Sequence, residues 1–413
     1  MAKQNKPAIR FKGFTDAWEQ RKLGEVVERI TRKNENLEST LPLTISAQYG
    51  LINQNEFFDK RIASKDVSGY FLVRNGEFAY NKSTSSDAPW GAIKRLDRYE
   101  SGVLSTLYIV FKISDERKTS SDYIVTYYNT DLWHKGIQAI AAEGARNHGL
   151  LNVAPADFFE TSLTMPKDYA EQQKIGSFFQ QLDNLITLHQ RKYDKLQVLK
   201  KAMLEKMFPK NGGSVPEIRF KGFTDAWEQR KLGKVVKEVT RNDPTSEAPI
   251  MMITANNGFI EQSERYAFDN AGESLKKYIL LQKGELAYNH GASKLRPFGS
   301  CFALTTAESA RIPFVYHCFS AENQNAEFLS IELNGSEVES QLRKIVSSGA
   351  RMDGLLNISF DEYSTVTVLL PDIKEQEHIA DFFRNLDHLI TLHQRELEKL
   401  QNIKKSMLEK MFV

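Results

Sequence analysis

The chain has 413 residues, 41% of them hydrophobic and 26% charged, which is typical of a globular protein with room for two or more domains. Its net charge of +2 supplies no bulk attraction for nucleic acid, so a nucleic-acid partner would need locally placed cations. Because there is no signal core or membrane-spanning run, and Cys301 and Cys318 lack metal-site or disulfide spacing, we expect a cytoplasmic protein without a membrane partner.

A nearly identical segment opens each half of the chain. Residues 9–27, IRFKGFTDAWEQRKLGEVV, return as residues 218–236, IRFKGFTDAWEQRKLGKVV, and differ only at Glu25 and Lys234. Duplication on this scale indicates two copies of one design with a pseudo-two-fold relation.

Between the shared ends the halves diverge. Residues 28–165 and 237–370 keep only two islands in common, GEFAYNKS with GELAYNHG and GARNHGLLN with GARMDGLLN. Short runs such as GYFLVRNGEFAYN, TLYIVFKI, KKYILLQKGELAYN and YSTVTVLLP predict strands, because β-branched and aromatic residues lie between turn formers. DYIVTYYNTDLWHKGIQAIAAEG and AEFLSIELNGSEVESQLRKIVSSG each predict one or two short helices.

Each half ends in a long helical pattern, over residues 168–208 and 372–412. Asp168 with Glu171, and Asp372 with Glu375, predict capping boxes at the helix starts. Apolar residues then recur with heptad spacing. The stripe residues that we expect to mediate helix pairing or partner docking are Ile175, Leu182, Leu196 and Met203 in the first helix and Ile379, Leu386, Leu400 and Met407 in the second.

About 40 residues make a rod of roughly 60 Å, and an amphipathic helix of this length needs a partner. We interpret the two helices as partners of each other. The alternative is that each covers its own globular neighbour. The sequence thus predicts an α+β protein, with mixed α/β domains at 1–167 and 211–371 and long helices at 168–210 and 372–413.

Motifs for catalysis are absent from the sequence. There is no G-x-x-x-x-G-K-[ST], no strand-to-helix G-x-G-x-x-G, no H-E-x-x-H and no G-x-S-x-G. We therefore expect no catalytic, cofactor-binding or metal-binding residues in this chain.

Polar loops in the divergent regions are the remaining candidates for function. Directional donors and acceptors on loops are what base recognition requires, although Gly-flanked polar loops also occur as plain turns. The candidate DNA-binding residues are Lys82, Ser83, Arg146, Asn147, His148, Asn289, His290, Lys294, Arg296 and Arg351.

The repeated FKGFTDAWEQRKLG, the two kinds of island, and the pair EQQKIGSFFQQLDNLITLHQ and EQEHIADFFRNLDHLITLHQ follow one order: variable domain, long helix, variable domain, long helix. This order resembles the specificity (S) subunit of type I restriction-modification systems, over essentially the whole chain. The resemblance implies two target-recognition domains that each read half of a split double-stranded DNA site. It also implies that the helices form an antiparallel coiled-coil spacer.

The resemblance further implies a subunit without catalysis of its own. Two methyltransferase subunits would dock on the helices and shared segments, and restriction subunits would join through that complex. S-adenosylmethionine, ATP and Mg²⁺ would belong to those partners. Two other function classes stay open: a DNA-modifying enzyme with an embedded recognition module, and a non-catalytic coiled-coil adaptor.

Overall fold

The structure, a computed structural model, describes residues 6–46, 49–60, 62–141, 149–255, 258–265, 272–346 and 355–413. Two compact units divide the chain. Unit 1 comprises residues 1–190 and 395–413, and unit 2 comprises residues 191–394. Each long helix is therefore shared between the units, whereas the predicted boundaries treat it as an element of its own.

In its described residues, unit 1 is built from short antiparallel strands and four short α-helices, followed by the first long helix. Its strands are β1 Glu19–Lys22, β2 Val27–Ile30, β3 Leu43–Ser46, β4 Gly50–Asn53, β5 Phe71–Arg74, β6 Phe78–Asn81, β7 Ala92–Arg95, β8 Ser101–Leu104, β9 Ile109–Ile113 and β10 Ser162–Met165. Its helices are α1 Gln54–Phe58, α2 Ser121–Tyr127, α3 His134–Ile140, α4 Pro155–Phe159 and the beginning of α5 Tyr169–Lys206.

Unit 2 repeats this order. Its strands are β11 Glu228–Lys231, β12 Val236–Glu238, β13 Met251–Thr254, β14 Gly258–Glu261, β15 Ile279–Gln282, β16 Leu286–Asn289, β17 Ser300–Ala303, β18 Ser309–Ile312, β19 His317–Ala321 and β20 Thr367–Leu370. Its helices are α6 Gln262–Arg265, α7 Ala326–Leu333, α8 Ser336–Ile345, α9 Phe360–Ser364 and the beginning of α10 Ile373–Met411.

The sheets of the two units have the same topology. A four-stranded sheet has the order β2-β9-β6-β7 in unit 1 and β12-β19-β16-β17 in unit 2. Two-stranded sheets β1-β10, β3-β4 and β5-β8 have the counterparts β11-β20, β13-β14 and β15-β18. The predicted mixed α/β domains, their strands and their two long helices are therefore confirmed, and the duplication seen in sequence extends to every sheet.

The predicted capping boxes are half right. Asp168 and Asp372 do accept N–H groups of the first turn, from Ala170 at 2.7 Å and Lys374 at 2.9 Å. The side chains of Glu171 and Glu375 instead bind distant arginines of the repeated N-terminal segments. Local spacing predicts a local partner, but a buried carboxylate gains more from a guanidinium.

Each glutamate accepts two hydrogen bonds from one guanidinium. Arg10 Nε and Nη2 lie 2.5 and 2.7 Å from the Glu171 carboxylate, whose side chain is 1% exposed. Arg219 Nε and Nη2 lie 2.6 and 2.7 Å from that of Glu375, which is 0% exposed. The repeated segments are thereby fixed to the first turns of the long helices.

Within each unit the long helices run antiparallel. In unit 1, Lys404 on α10 binds Asp183 on α5 at 2.6 Å, and Phe412 contacts Phe179. In unit 2, Lys200 on α5 binds Asp387 on α10 at 2.5 Å. As residue numbers rise along one helix, the residues that they contact on the other helix have falling numbers. The helices therefore pair antiparallel, as the family resemblance implies.

The predicted stripe residues divide between the units. Those in the unit 1 core or packed against it are Ile175, Leu182, Leu400 and Met407. Those in or against the unit 2 core are Met203 and Ile379, while Leu386 is buried and Leu196 half-buried. Each core thus combines the beginning of one helix with the end of the other.

No helix in the described part of the chain is long and apolar enough to cross a membrane.

A phenylalanine at the C-terminal end of each long helix packs in or against the core of one unit. Phe412 packs edge-on against Trp18 and stacks on Tyr123, with ring centroids at 6.0 and 5.6 Å. In unit 2 the corresponding Phe208 packs against Trp227 and Phe328, at 5.7 and 5.8 Å. The end of α10 therefore belongs structurally to unit 1, and the end of α5 to unit 2.

We expect Phe412→Ala to destabilise unit 1 by about 3–5 kcal/mol, because it removes a buried ring and leaves a cavity. Hydrogen exchange should accelerate in α2 and stay unchanged in α7. The matched variant Phe208→Ala should reverse this pattern, with a smaller cost because Phe208 is half-buried. Equal loss of protection in both helices for either variant would contradict this assignment.

Unit 2 also buries a carboxylic acid. Glu332 on α7 is 6% exposed, and its Oε1 accepts a hydrogen bond from the Leu369 N–H at 3.0 Å. Burial raises the pKa of Glu332 to about 7, opposed in part by that hydrogen bond. The equivalent position in unit 1 is Tyr127, so the acid is specific to unit 2.

Since the folded protein retains a proton on Glu332 that the unfolded chain releases, stability should fall as pH rises from about 4.5 to about 7. The loss is roughly 3 kcal/mol at most, from the size of the pKa shift. Glu332→Gln should remove this pH dependence and stabilise unit 2 at pH 8, as measured by denaturant unfolding. The exposed Glu247→Gln is the control, and an unchanged pH profile for Glu332→Gln would refute the assignment.

Candidate nucleic-acid interface

The loop that leaves an inner strand of each four-stranded sheet carries half of the predicted DNA-binding residues. In unit 1 it spans residues 82–91, between β6 and β7, and in unit 2 residues 290–299, between β16 and β17. We refer to these two segments as the exit loops.

A tyrosine on the preceding strand anchors the far end of each exit loop. The Tyr80 hydroxyl donates to the Trp90 carbonyl oxygen at 2.9 Å, and the Tyr288 hydroxyl donates to that of Phe298 at 2.6 Å. Both tyrosines are buried, and burial raises their pKa well above the ordinary value. They act as neutral hydrogen-bond donors that hold the loop ends.

An asparagine at the strand end fixes the near end of each loop. The Asn81 side-chain oxygen accepts the Ser83 N–H at 3.0 Å, and that of Asn289 accepts the Gly291 N–H at 2.9 Å. This is an Asx turn, in which the side chain replaces a backbone acceptor. The Asn289 side chain also donates to the Ile253 carbonyl oxygen at 3.1 Å. The tyrosine and asparagine of the shared A-Y-N sequence thus anchor the exit loop in both units.

A glycine closes each loop against the strand that it left. Gly91 and Gly299 have φ values of +78° and +79°, and a Cβ atom at either would overlap the carbonyl oxygen of Asn81 or Asn289. Only glycine combines this backbone conformation with so close an approach. The two exit loops therefore share one backbone frame.

The second shared island pairs with the beginning of each exit loop. The Leu151 N–H donates to the Lys82 carbonyl oxygen, and the Leu356 N–H to that of His290, both at 2.9 Å. Isolated bridges join residue 83 to 150 and residue 291 to 355. Two islands that are far apart in sequence thus meet at one place in each unit.

The unit 1 exit loop turns on a serine. Ser85 and Ala88 exchange backbone hydrogen bonds of 3.1 and 3.2 Å, and the Ser85 hydroxyl accepts the Ala88 N–H at 3.1 Å. Ser86 and Asp87 lie between them, and both are exposed. We refer to these two residues as the unit 1 tip.

The unit 2 exit loop turns in the same way with different chemistry. The Ser293 N–H donates to the Arg296 carbonyl oxygen at 3.0 Å, and the Ser293 hydroxyl accepts the Arg296 N–H at 3.0 Å. Lys294 and Leu295 form the unit 2 tip, and Leu295 is 65% exposed. One frame therefore presents a hydroxyl and a carboxylate in unit 1, but an ammonium and an apolar side chain in unit 2.

Some predicted residues are turned inward in the structure. Lys82 is half-buried, with Nζ 3.4 Å from the Val153 carbonyl oxygen, and desolvation lowers the pKa of its ammonium group. Ser83 is exposed beside it. The predicted residues that lie outside the described part of the chain are Arg146, Asn147, His148 and Arg351.

His290 is held by backbone on both sides of its ring. Nδ1 lies 2.8 Å from the Leu356 carbonyl oxygen and Nε2 lies 2.7 Å from that of Val315. Carbonyl oxygens only accept, so the ring nitrogen that carries hydrogen donates to the carbonyl oxygen beside it. The ring also stacks on His317 with centroids at 5.0 Å. His290 therefore ties three segments together.

The two cations of the unit 2 loop differ in exposure. Arg296 donates from Nη1 to the Asn334 carbonyl oxygen at 2.9 Å, and burial lowers the pKa of its guanidinium. Lys294 is exposed at the tip. Of the two, Lys294 is the one placed to meet a ligand.

The candidate residues chosen from the sequence include Lys294 but not the other three tip residues, Ser86, Asp87 and Leu295. Aligning the two exit loops on their shared A-Y-N and closing glycine would have exposed the contrast between the tips. In the described residues no group of three or more histidine, cysteine, aspartate or glutamate side chains is arranged to hold a metal ion. Burial raises the pKa of the Cys301 and Cys318 thiols, which keeps them neutral.

Comparison with solved structures identifies the architecture. No protein-family model matches the sequence. The crystal structure of the type I restriction-modification system S subunit from M. genitalium aligns with a TM-score of 0.59, over 99% of both chains and at 13% identity. The chain has the fold of that S subunit.

Two further structures align less closely with this S-subunit fold. The HsdS subunit from Thermoanaerobacter tengcongensis has a TM-score of 0.40 at 16% identity, over 96% of both chains. A chain from a structure of type I restriction-modification complex assembly and conformational transition has a TM-score of 0.42 at 16% identity, over 96% of this chain and 97% of its own. Scores this low add no weight to the assignment.

We expect His290→Phe to destabilise unit 2 of this S-subunit fold by about 1–3 kcal/mol, because the ring stack is kept while a backbone carbonyl oxygen loses its donor. Denaturant unfolding and hydrogen exchange in β16 would measure the change. Lys294→Ala in the same loop is the control and should leave the unfolding midpoint unchanged. A stable His290→Phe variant would show that the ring bonds are dispensable.

Proposed function

We propose that this chain is a non-catalytic specificity subunit that reads a bipartite site on double-stranded DNA, with one half-site for each unit. One observation carries the proposal: the two units share sheets, anchors and exit-loop frame, yet differ in chemistry at the loop tips. A duplicated scaffold with different tips suits the recognition of two different sequences.

The chemistry of the exit loops supports base reading. Base pairs are distinguished in the major groove by the pattern of donors, acceptors and methyl groups on their edges. A carboxylate, an ammonium and an apolar side chain match three different features of that pattern. Backbone contacts position a protein on DNA, whereas contacts of this kind specify the sequence.

The near-identical parts of the chain support docking of two copies of one partner. The repeated residues 9–27 and 218–236 are fixed in the same way in both units. Exposed leucines also recur at equivalent positions of the long helices: Leu185 and Leu389 are 44% and 43% exposed, and Leu188 and Leu392 are 46% and 45% exposed. Apolar residues repeated in this way suit two methyltransferase subunits, with restriction subunits joining through that complex.

Catalysis in this proposal belongs to the partners. S-adenosylmethionine is the methyl donor of the methyltransferase subunits, and ATP and Mg²⁺ serve the restriction subunits. The chain supplies sequence recognition and assembly.

Exchange of one divergent region tests whether the two units recognise their half-sites independently. Replacing residues 28–165 with the corresponding region of a relative should change one half of the methylated sequence, because unit 2 keeps its own exit loop. Sequencing of methylated bases in DNA treated with the complex would measure this. The matched exchange of residues 237–370 should change only the other half. A change in both halves after either exchange would contradict independent reading.

Incubation with labelled S-adenosylmethionine tests the assignment of catalysis. The purified chain alone should leave DNA unlabelled, and addition of methyltransferase subunits should restore labelling at specific sites. Labelling by the chain alone would instead support a DNA-modifying enzyme. A complex that labels DNA without sequence preference would support a coiled-coil adaptor.

A further inference from the structure

We propose that the two-residue tips are specificity determinants: Asp87 reads the exocyclic amino group of a cytosine, and Lys294 reads the acceptor edge of a guanine. The inference rests on the proposed function and names the residues through which each unit would distinguish bases. It also replaces most of the cations selected from sequence with two exposed side chains, one in the tip of each of two equivalent loops.

The exit-loop frame does not depend on the tips. The turn is closed by hydrogen bonds of Ser85 with Ala88 in unit 1 and of Ser293 with Arg296 in unit 2. The tip residues stand between these partners. The hydrogen bond found for a tip side chain in the described residues is the 3.4 Å contact from Ser86 Oγ to Asp87 Oδ1. Tip side chains can therefore change without changing the frame.

The frame holds the tips in place. Each exit loop is fixed at the near end by an asparagine, at the far end by a tyrosine and a glycine, and from the side by the second island. A side chain that discriminates bases needs a defined position, because a misplaced donor or acceptor pairs with water instead. The tips are thus short, exposed elements on rigid supports.

The tips differ in chemistry. A carboxylate only accepts hydrogen bonds, and in the major groove it pairs with the N4 amino group of cytosine. An ammonium only donates, and it pairs with O6 and N7 of guanine. An apolar side chain such as that of Leu295 suits the methyl group of a neighbouring thymine. The unit 1 carboxylate would also repel phosphates, so a backbone contact does not explain it.

Reciprocal exchange of the tips tests the inference in the complex with the methyltransferase subunits. One variant carries S86K/D87L in unit 1 and leaves unit 2 unaltered. The other carries K294S/L295D in unit 2 and leaves unit 1 unaltered. Each should change the preferred base at one position of its own half-site and leave the other half-site unchanged. At that position, the preference for the original base over the other three bases should fall by roughly 5- to 150-fold.

The chain offers a matched control at the opposite end of the same strands. The turns before β6 and β16 are also equivalent, with Asn75 exposed in one and Lys283 in the other. N75K and K283N exchange side chains there and change the charge in the same direction as the tip exchanges, by one unit where the tips change it by two. They should leave the methylated sequence unchanged, because they lie on turns that are not exit loops.

Three results would overturn the inference. Both tip exchanges could fold with an unaltered melting profile and methylate the original sequence, which would make the tips plain turn residues. K294A could weaken binding to all DNA sequences alike and lower the salt dependence, which would make Lys294 a phosphate contact. Failure of the unaltered complex to methylate any defined sequence would instead reject the proposed function, and the inference with it.

If a tip exchange prevented assembly, competition binding would still decide the question. The single variants Asp87→Asn and Lys294→Ala would be compared with the unaltered complex on DNA duplexes that carry each of the four base pairs at every position. Loss of preference at one position supports base reading. Preferences unchanged at all positions refute it.

Discussion

Each unit depends on a buried ion pair between a repeated N-terminal segment and the first turn of a long helix. The carboxylates of Glu171 and Glu375 are at most 1% exposed, and each is satisfied by one arginine, Arg10 or Arg219. Burying two charges costs about as much as their attraction returns, so such a pair adds little net stability. Removing one partner would leave a buried charge uncompensated, at a cost of about 3–5 kcal/mol. We infer that the pair selects which residues meet, and so fixes the register of segment and helix.

The residue after each glutamate extends this register to the rest of the unit. Gln172 accepts the Ser120 N–H at the start of α2, and Gln376 accepts the Asn325 N–H at the start of α7. The first turn of each long helix therefore holds the N-terminal segment through the glutamate and the helix beside the sheet through the glutamine. Because both copies keep the Glu-Gln pair, both build the same frame around different interiors, and the exit loops leave the same strand in each.

The fold was largely predictable from the sequence, since repeats, heptads and β-branched runs are local signals. The partner of Glu171 was not, because Arg10 lies 161 residues away and helix spacing favours a local cap. The surroundings of the candidate site residues could not be predicted for a similar reason. Lys82 and His290 look like free donors in sequence, yet backbone carbonyl oxygens that only tertiary structure brings near accept their hydrogen bonds. In the sequence, the lone carboxylate of Asp87 in a polar loop resembles any solvated surface group.

Because the frame of each exit loop is separate from its tip, the proposed specificity can change while the fold stays the same. The asparagine, tyrosine and glycine that anchor each exit loop make hydrogen bonds or close contacts that hold the loop frame, so substitutions there act on folding. Among the described residues the tips make no hydrogen bond that closes the turn, and exposed positions of this kind tolerate substitution with little change in stability. A chain built in this way can acquire a new half-site in one unit while its core, its helices and its partner-docking surfaces stay as they are. Two units with the same frame and different tips are what such a history would leave in one sequence.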